Sequence, residues 1–312
     1  MKVNALVVGN TQVDNNIFLA PMAGYTDYAF RSLAIKLGAG LTFTELVSAK
    51  GLMYGGEGSR ELLYSGDDYK KTAVQIFGSD AYFMRAACES EYLASFDIVD
   101  INMGCPVPKV FKNGEGSALL TDIKKAENII KECVKSGKTI TVKIRTGQKI
   151  GDDIAAEYAL MAENAGARLI TVHGRVRESY YSGEPDYKAI ERAKKSVKIP
   201  VIANGGMFTE EDANLMIDRT GADGIMLARG AIANPFLFAK LLGAKSDMTL
   251  KQFIIEHITL SAKRYGDRRA TLEFRKFTPY YFKGMVGVKE LKNAINKAGS
   301  TAEIIDLINN GL

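Results

Sequence analysis

Short apolar runs recur along this 312-residue chain, each followed by an amphipathic segment. They fall at residues 17–20, 41–47, 73–78, 96–102, 140–146, 169–173, 201–204 and 224–229. Several are β-branched and nearly continuous, the pattern of strands buried on both faces of a parallel sheet. Between them, residues 27–37, 121–136, 152–165 and 210–220 predict helices. Each stops at a glycine (Gly38, Gly137, Gly166, Gly221), the residue best suited to the left-handed position after a helix. Thr121, Asp152 and Thr209 are the expected N-caps. Eight strand–helix units predict an α/β fold of the TIM (β/α)8 barrel type. A six-stranded doubly wound sheet would leave two strands over.

After Leu242 the alternation ends. Residues 250–265, 269–283, 289–298 and 302–308 read as helices, with 243–247 as a linker. The expected organisation is a barrel over residues 1–243 and a small all-α helical domain over 244–312.

Composition narrows the class without changing it. Hydrophobic residues make up 46 % and charged residues 25 %, ordinary for a globular protein with a large core. Cys88, Cys105 and Cys133 are too few and too irregular for a disulfide framework or a zinc site, so a reducing cytoplasm is expected. No apolar run approaches the roughly 20 residues of a membrane span, and the N-terminal stretch lacks a signal-peptide layout. Charge is more telling in its distribution. Residues 1–244 hold 29 Lys+Arg and 29 Asp+Glu, whereas the last 68 hold 12 and 7. The whole net charge of +5 therefore lies in the helical tail, which points to a polyanionic partner.

In a barrel of this kind the strand C-termini form the functional face. Here they carry chemistry in succession. The first ends in Pro21, Met22 and Ala23, small enough for backbone to approach a flat ligand. The third places the Gln75 amide at the mouth. In the fifth, Thr141, Lys143 and Arg145 share one face by the strand period of two. Two cations inside a barrel need an anion, either two buried carboxylates or a ligand, and a ligand is the expectation. The sixth ends in His173, Gly174 and Arg175. The seventh and eighth end in Asn204-Gly205-Gly206 and Ala228-Arg229-Gly230, glycine turns leading into helices, which suit a phosphate. The fourth strand breaks at Gly104 and delivers Cys105 beyond Asn102, into a loop carrying Lys109 and Lys112. A phosphorylated planar cofactor fits this ring, and flavin mononucleotide is the candidate, with Lys143 stabilising its reduced anionic form.

These residues resemble a family. P-M-A-G-Y-T-D, D-I-N-M-G-C-P with N-G-E-G-S, V-K-I-R-T-G, T-V-H-G-R, N-G-G and M-L-A-R-G are similar to the motifs of tRNA-dihydrouridine synthases, in the same order over nearly the whole chain. The Cys-containing motif is nearest to the bacterial B-type subgroup. The tail segment F-R-K-F-T-P-Y-Y-F-K-G resembles that family's tRNA-binding domain. The resemblance implies that NADPH or NADH reduces FMN, hydride passes from flavin N5 to C6 of a flipped uracil in tRNA (the D-arm region), and Cys105 protonates C5. It implies that Pro21, Met22, Ala23, Gln75, Lys143, His173, Asn204, Gly205, Gly206, Ala228 and Arg229 hold the cofactor. Asn102, Arg145 and Arg175 would hold the uracil. Lys109, Lys112, Arg177, Arg275 and Lys276, with Arg268, Arg269 and Lys283, would meet tRNA phosphates. Tyr280, Tyr281 and Phe282 could stack on bases or serve as helix-packing core. A cytoplasmic enzyme acting as a monomer is expected. Three rivals stand beside this reading: an FMN barrel acting on a free pyrimidine or enone, a non-redox phosphate-binding barrel such as an aldolase, and a tRNA chaperone without turnover.

Overall fold

The computed structural model describes residues 2–312. An antiparallel hairpin comes first, β1 (Leu6–Val8) with β2 (Thr11–Val13), which the sequence pattern did not reveal because each strand is only three residues long. Parallel strands follow: β3 (Ile17–Leu19), β4 (Thr42–Phe43), β5 (Val47–Ser48), β6 (Thr72–Phe77), β7 (Ile98–Met103), β8 (Thr139–Arg145), β9 (Ile170–His173), β10 (Val201–Asn204) and β11 (Gly224–Leu227). Their order runs β3-β11-β10-β9-β8-β7-β6-β4. The ring closes where Leu19 N donates to the Leu41 carbonyl at 2.9 Å, giving the TIM barrel that the eight apolar runs predict.

The second run, expected as one strand over 41–47, is split into β4 and β5, both paired to β6. Thr44 causes the break. Its hydroxyl accepts the Gln75 backbone N–H at 3.1 Å and donates to the Glu45 carbonyl at 2.9 Å, taking the place of a strand carbonyl.

The barrel interior changes character with depth. Its floor is apolar, with Phe18, Leu41, Phe43, Ala73, Ile98, Leu169, Ile202 and Met226, closed beneath by Val8 and Val13 of the hairpin. Two residues further along the strands the same inward face becomes polar: Gln75, Asp100, Thr141 and Thr171 are all buried. On β6, β7, β9 and β10 the period of two thus sets a polar inward position above an apolar one, whereas β3 and β11 stay apolar through Ala20 and Ala228.

Helix ends follow the glycine signals, with φ of 103°, 79°, 101° and 62° at Gly38, Gly137, Gly166 and Gly221. Thr209 caps Glu210–Thr220 in a reciprocal capping box. Two expected caps shift. Asp122, not Thr121, caps Ile123–Val134. Asp152 instead accepts the backbone N–H of Gln148 and Lys149, and the helix begins later, at Ala155.

The tail is helical, starting with Leu250–Tyr265. The helix expected over 269–283 is broken into Asp267–Phe274, a 3₁₀ turn Arg275–Phe277, and Thr278–Tyr281. Pro279 has no N–H to donate, and the Thr278 hydroxyl takes the Arg275 carbonyl at 2.8 Å. Phe277 stacks on Phe30 of the first barrel helix (Tyr28–Lys36) with centroids 6.1 Å apart, so one apolar core joins tail to barrel. Tyr281 and Phe282 lie in that core, at 3 % and 0 % exposure, which leaves Tyr280 as the sole half-buried member of the trio. No helix among the described residues is long and apolar enough to cross a membrane.

Candidate active site

The polar layer at the barrel mouth is wired from β8, β7 and β6. Thr141 donates its hydroxyl to Asp100 Oδ1 at 2.6 Å, and Gln75 Nε2 donates to Asp100 Oδ2 at 2.7 Å. Asn102 Nδ2 donates to Gln75 Oε1 at 2.8 Å. Asn102 Oδ1 in turn accepts the N–H of Cys105 at 2.9 Å and of Gly104 at 3.2 Å. The Cys105 carbonyl accepts from the Ser117 hydroxyl at 2.8 Å and the Ser117 N–H at 3.1 Å. The thiol loop is therefore held on both sides. Gly116, beside it, has φ of 60°, and a Cβ there would stand 3.0 Å from Cys105 Cβ. Burial pushes the Cys105 thiol pKa up, so it is protonated at neutral pH.

Cations converge on the same mouth. Lys143 donates to Asn204 Oδ1 at 3.0 Å. Its burial, with Arg145 next along the strand face, pulls its pKa down to about 8. Arg145 is 2 % exposed and its burial lowers its pKa to about 10. The expectation that two such cations require carboxylates or a ligand is met differently for Arg145. It donates to three backbone carbonyls, Gly104 at 2.8 Å, Val176 at 3.0 Å and Tyr180 at 2.7 Å. Arg175 donates to the Gly183 carbonyl at 2.6 Å and lies 3.3 Å from His173 Nε2. Burial, then Lys143, Arg145, Arg175 and Arg229, holds His173 well below the usual imidazole range, so it is neutral. The charges that bear most on His173 are thus cations, and this side of the mouth suits an anion.

The glycines after β10 complete this wall. Gly205 has φ of 116°, and a Cβ on it would stand 2.8 Å from His173 Cδ2 and 3.0 Å from Arg175 Nη1. Gly206 has φ of 76°, with Pro185 2.8 Å from where its Cβ would be. Ala228 and Arg229 are half-buried beside them. Of the β3 turn, Met22 donates its N–H to the Thr26 hydroxyl at 2.8 Å, while Gly24 N–H is taken by Glu45. Pro21 and Met22 are half-buried and Ala23 is exposed.

The cations predicted to lie further out are dispersed. Lys109 and Lys112 are exposed on the short helix Pro108–Lys112, and the Arg177 guanidinium lies 3.7 Å from the Phe111 ring centroid of the same helix. Lys276 pairs with Glu273 and lies near the Tyr25 ring of the β3 turn. Arg275 is turned inward, donating to the Ala298 carbonyl at 3.0 Å. Arg269 pairs with Glu61 at 2.6 Å.

Two residues at the mouth escape sequence reasoning. Tyr181 stacks on His173 with centroids 6.3 Å apart, and Arg229 and Arg145 lie 4.6 and 5.6 Å from its ring centroid. It sits in a loop without periodicity, so no pattern marks it. Asp100 was legible in principle, as a carboxylate in the middle of an apolar strand two residues before Asn102. Cys88 and Cys133 lie in the core, at 1 % and 0 % exposure. His257 is buried and bonded to the Tyr281 hydroxyl at 2.8 Å.

Comparison with known proteins gives a consistent picture. The dihydrouridine synthase family model matches residues 18–310. A protein of Pseudomonas syringae pv. tomato named tRNA-dihydrouridine synthase B is 34 % identical over 309 residues, covering 96 % of this chain and 92 % of that one. Its namesake in Pasteurella multocida is 36 % identical over 299 residues, covering 93 % and 90 %. Among solved structures, morphinone reductase superposes with a TM-score of 0.56 at 14 % identity, over 80 % of this chain and 91 % of that one. At that identity the likeness concerns the fold alone.

Proposed function

The chain belongs to the dihydrouridine synthase family, and from that premise we propose that it reduces uridines in tRNA to 5,6-dihydrouridine. The observation that carries this is the meeting of one protonated thiol, Cys105, with a cluster of cations (Lys143, Arg145, Arg175 and Arg229) around His173 at the barrel mouth. A reductase of an uncharged base needs a proton donor and a seat for an anionic cofactor, and both stand at one ring of strand ends.

The site suits flavin mononucleotide. Gly205 and Gly206 lie so close to His173, Arg175 and Pro185 that a side chain there would clash, so glycine lets this backbone turn sit against the wall, and Arg229 would supply charge for a phosphate. Lys143, His173, Asn204 and the Pro21–Ala23 turn would line the rest. When bound, the flavin supplies the hydride that the uracil takes up at C6, with NADPH or NADH as the source of electrons. Cys105 gives a proton to C5, and its raised pKa keeps it in the acid form needed. Asn102 holds the loop that carries the thiol, and Arg145 and Arg175 face the place of the base. Residues 1–243 act as the catalytic unit and 244–312 as the RNA-binding unit of a cytoplasmic monomer. Lys109, Lys112, Arg177 and Lys276 would meet phosphates of the tRNA, in the D-arm region.

The test is direct. Purified protein is mixed with unmodified tRNA transcript and NADPH, and nucleosides are analysed by mass spectrometry. Dihydrouridine is expected, and free uridine is expected to remain unreduced. A colourless protein, or turnover of the free base only, would reject the reading.

A further inference from the structure

Asp100 lies in the middle of β7 at 0 % exposure. A buried carboxylate is costly unless its oxygens are taken, and both are, by Thr141 and Gln75. The hydrogen bonds beyond it can then run in one sense only. An ionised carboxylate accepts and does not donate, so Gln75 turns its NH2 toward Asp100 and its oxygen toward Asn102. Asn102 is left with its own oxygen facing the loop, where it takes the N–H of Cys105 and Gly104. The far end demands the same sense, because backbone N–H groups only donate. Reversing Gln75 would set oxygen against oxygen at 2.7 Å in a buried site. The pKa of Asp100, lifted by burial to about 6, still leaves it ionised at neutral pH.

We propose that Asp100 is a positioning residue which, through Gln75 and Asn102, fixes the backbone N–H of Cys105 and so the place of its thiol at the barrel mouth. Asp100 does not touch the reacting atoms. Its effect on turnover rests on the proposed role of Cys105 as acid, whereas its effect on the thiol loop does not.

The experiment compares Asp100→Leu with Asp100→Asn and follows alkylation of Cys105 by iodoacetamide, resolved by peptide mass. Leucine removes the acceptor. Asparagine keeps an oxygen for Gln75 if the Thr141 hydroxyl turns to accept. Freed from its clamp, Cys105 in D100L should react about five- to tenfold faster, as expected for a lost buried hydrogen bond, with D100N within about twofold of wild type. Dihydrouridine formation by D100L should fall by about tenfold in kcat, while flavin content and reductant oxidation without tRNA hold. A merely structural role would lower all of these together. If D100L does not fold, an acid–amide exchange replaces it. Gln75→Glu sets two acids side by side and should release Cys105; adding Asp100→Asn restores the same sense of bonding and should return alkylation to the wild-type rate. An unchanged rate in D100L, or a double variant no nearer wild type than Q75E, overturns the proposal. Wild-type protein that makes no dihydrouridine would reject the proposed function, and the alkylation rates would still decide the role of Asp100.

Discussion

Lys143 donates to Asn204 Oδ1 at 3.0 Å, reaching over β9 from β8 to β10. The sense of the bond is forced, because Asn204 gives its NH2 to the Met226 carbonyl at 2.7 Å. Burial and the neighbouring Arg145 outweigh the Asn204 oxygen and the charge of Asp100, and Lys143 is drawn down to a pKa of about 8. An anionic ligand beside it would raise that pKa again.

Replacing Lys143 by methionine should therefore weaken flavin binding by about 10–100-fold, the worth of a charge-assisted hydrogen bond. Flavin affinity of the cofactor-free wild type should also fall as pH rises through about 8, where Lys143 loses its proton. Titration of the stripped protein with FMN, read by quenching of flavin fluorescence at several pH values, measures both. A Lys143→Met protein that binds as tightly as wild type would remove the lysine from the cofactor site.

Cys105→Ala should separate the two halves of the reaction. Binding of flavin and its reduction by NADPH should persist, because no cofactor-facing cation is altered. Dihydrouridine formation should fall by about 10²–10⁴-fold, the usual contribution of a positioned general acid. Rapid mixing of the reduced enzyme with tRNA, followed by nucleoside analysis, gives the rate. Product formed at the wild-type rate would transfer the acid role to another group.

The barrel was legible because every strand is an apolar run ending in glycine, proline or polar chemistry, so period and punctuation agree. The residues of the mouth were legible for the same reason: Lys143 and Arg145 share a strand face by spacing alone, and Gly205 and Gly206 follow a strand. What stayed hidden depends on contacts across the chain. The fate of Arg145 is set by carbonyls 31 and 35 residues away, and that of Arg275 by the Ala298 carbonyl. Tyr181 reaches His173 from a loop with no period. The helix expected over 269–283 breaks at Pro279, which has no N–H for the Arg275 carbonyl.

Asp100 should leave a mark on stability. Its pKa is raised from 3.8 to about 6 by burial, so the folded state binds its proton more tightly than the unfolded chain. For a raised pKa the contribution to stability is fully present below pH of about 4 and is lost as pH rises through about 6. At neutral pH the ionised form costs about 3 kcal/mol relative to the protonated one, at about 1.4 kcal/mol per pKa unit. Asp100→Asn, which cannot ionise, should therefore gain on wild type across that window and be the more stable protein at pH 7. Urea unfolding of both proteins between pH 4 and pH 7 gives the difference, which cancels the titration of other carboxylates. A difference that does not change with pH would mean that Asp100 is ionised throughout.

The tail offers the last prediction, and the two neighbouring cations in it should behave differently. Lys276 is paired with Glu273 at the surface and lies close to the Tyr25 ring, on the side of the β3 turn. A surface pair of this kind is worth little and is easily exchanged for a phosphate. Arg275 instead gives a hydrogen bond to the Ala298 carbonyl and holds the turn against the end of the helix Lys289–Lys297. Lys276→Ala should weaken tRNA binding and reduce the slope of log affinity against log salt by about 1, the release of one counterion. Arg275→Ala should lower the slope less and should cost about 1 kcal/mol of stability, since it leaves the carbonyl of the buried Ala298 without its donor. Filter binding of tRNA at increasing salt, beside thermal unfolding of each variant, separates the two effects. A salt slope unchanged in both would take this part of the tail off the RNA-binding surface, although the excess positive charge of the chain lies in its last 68 residues.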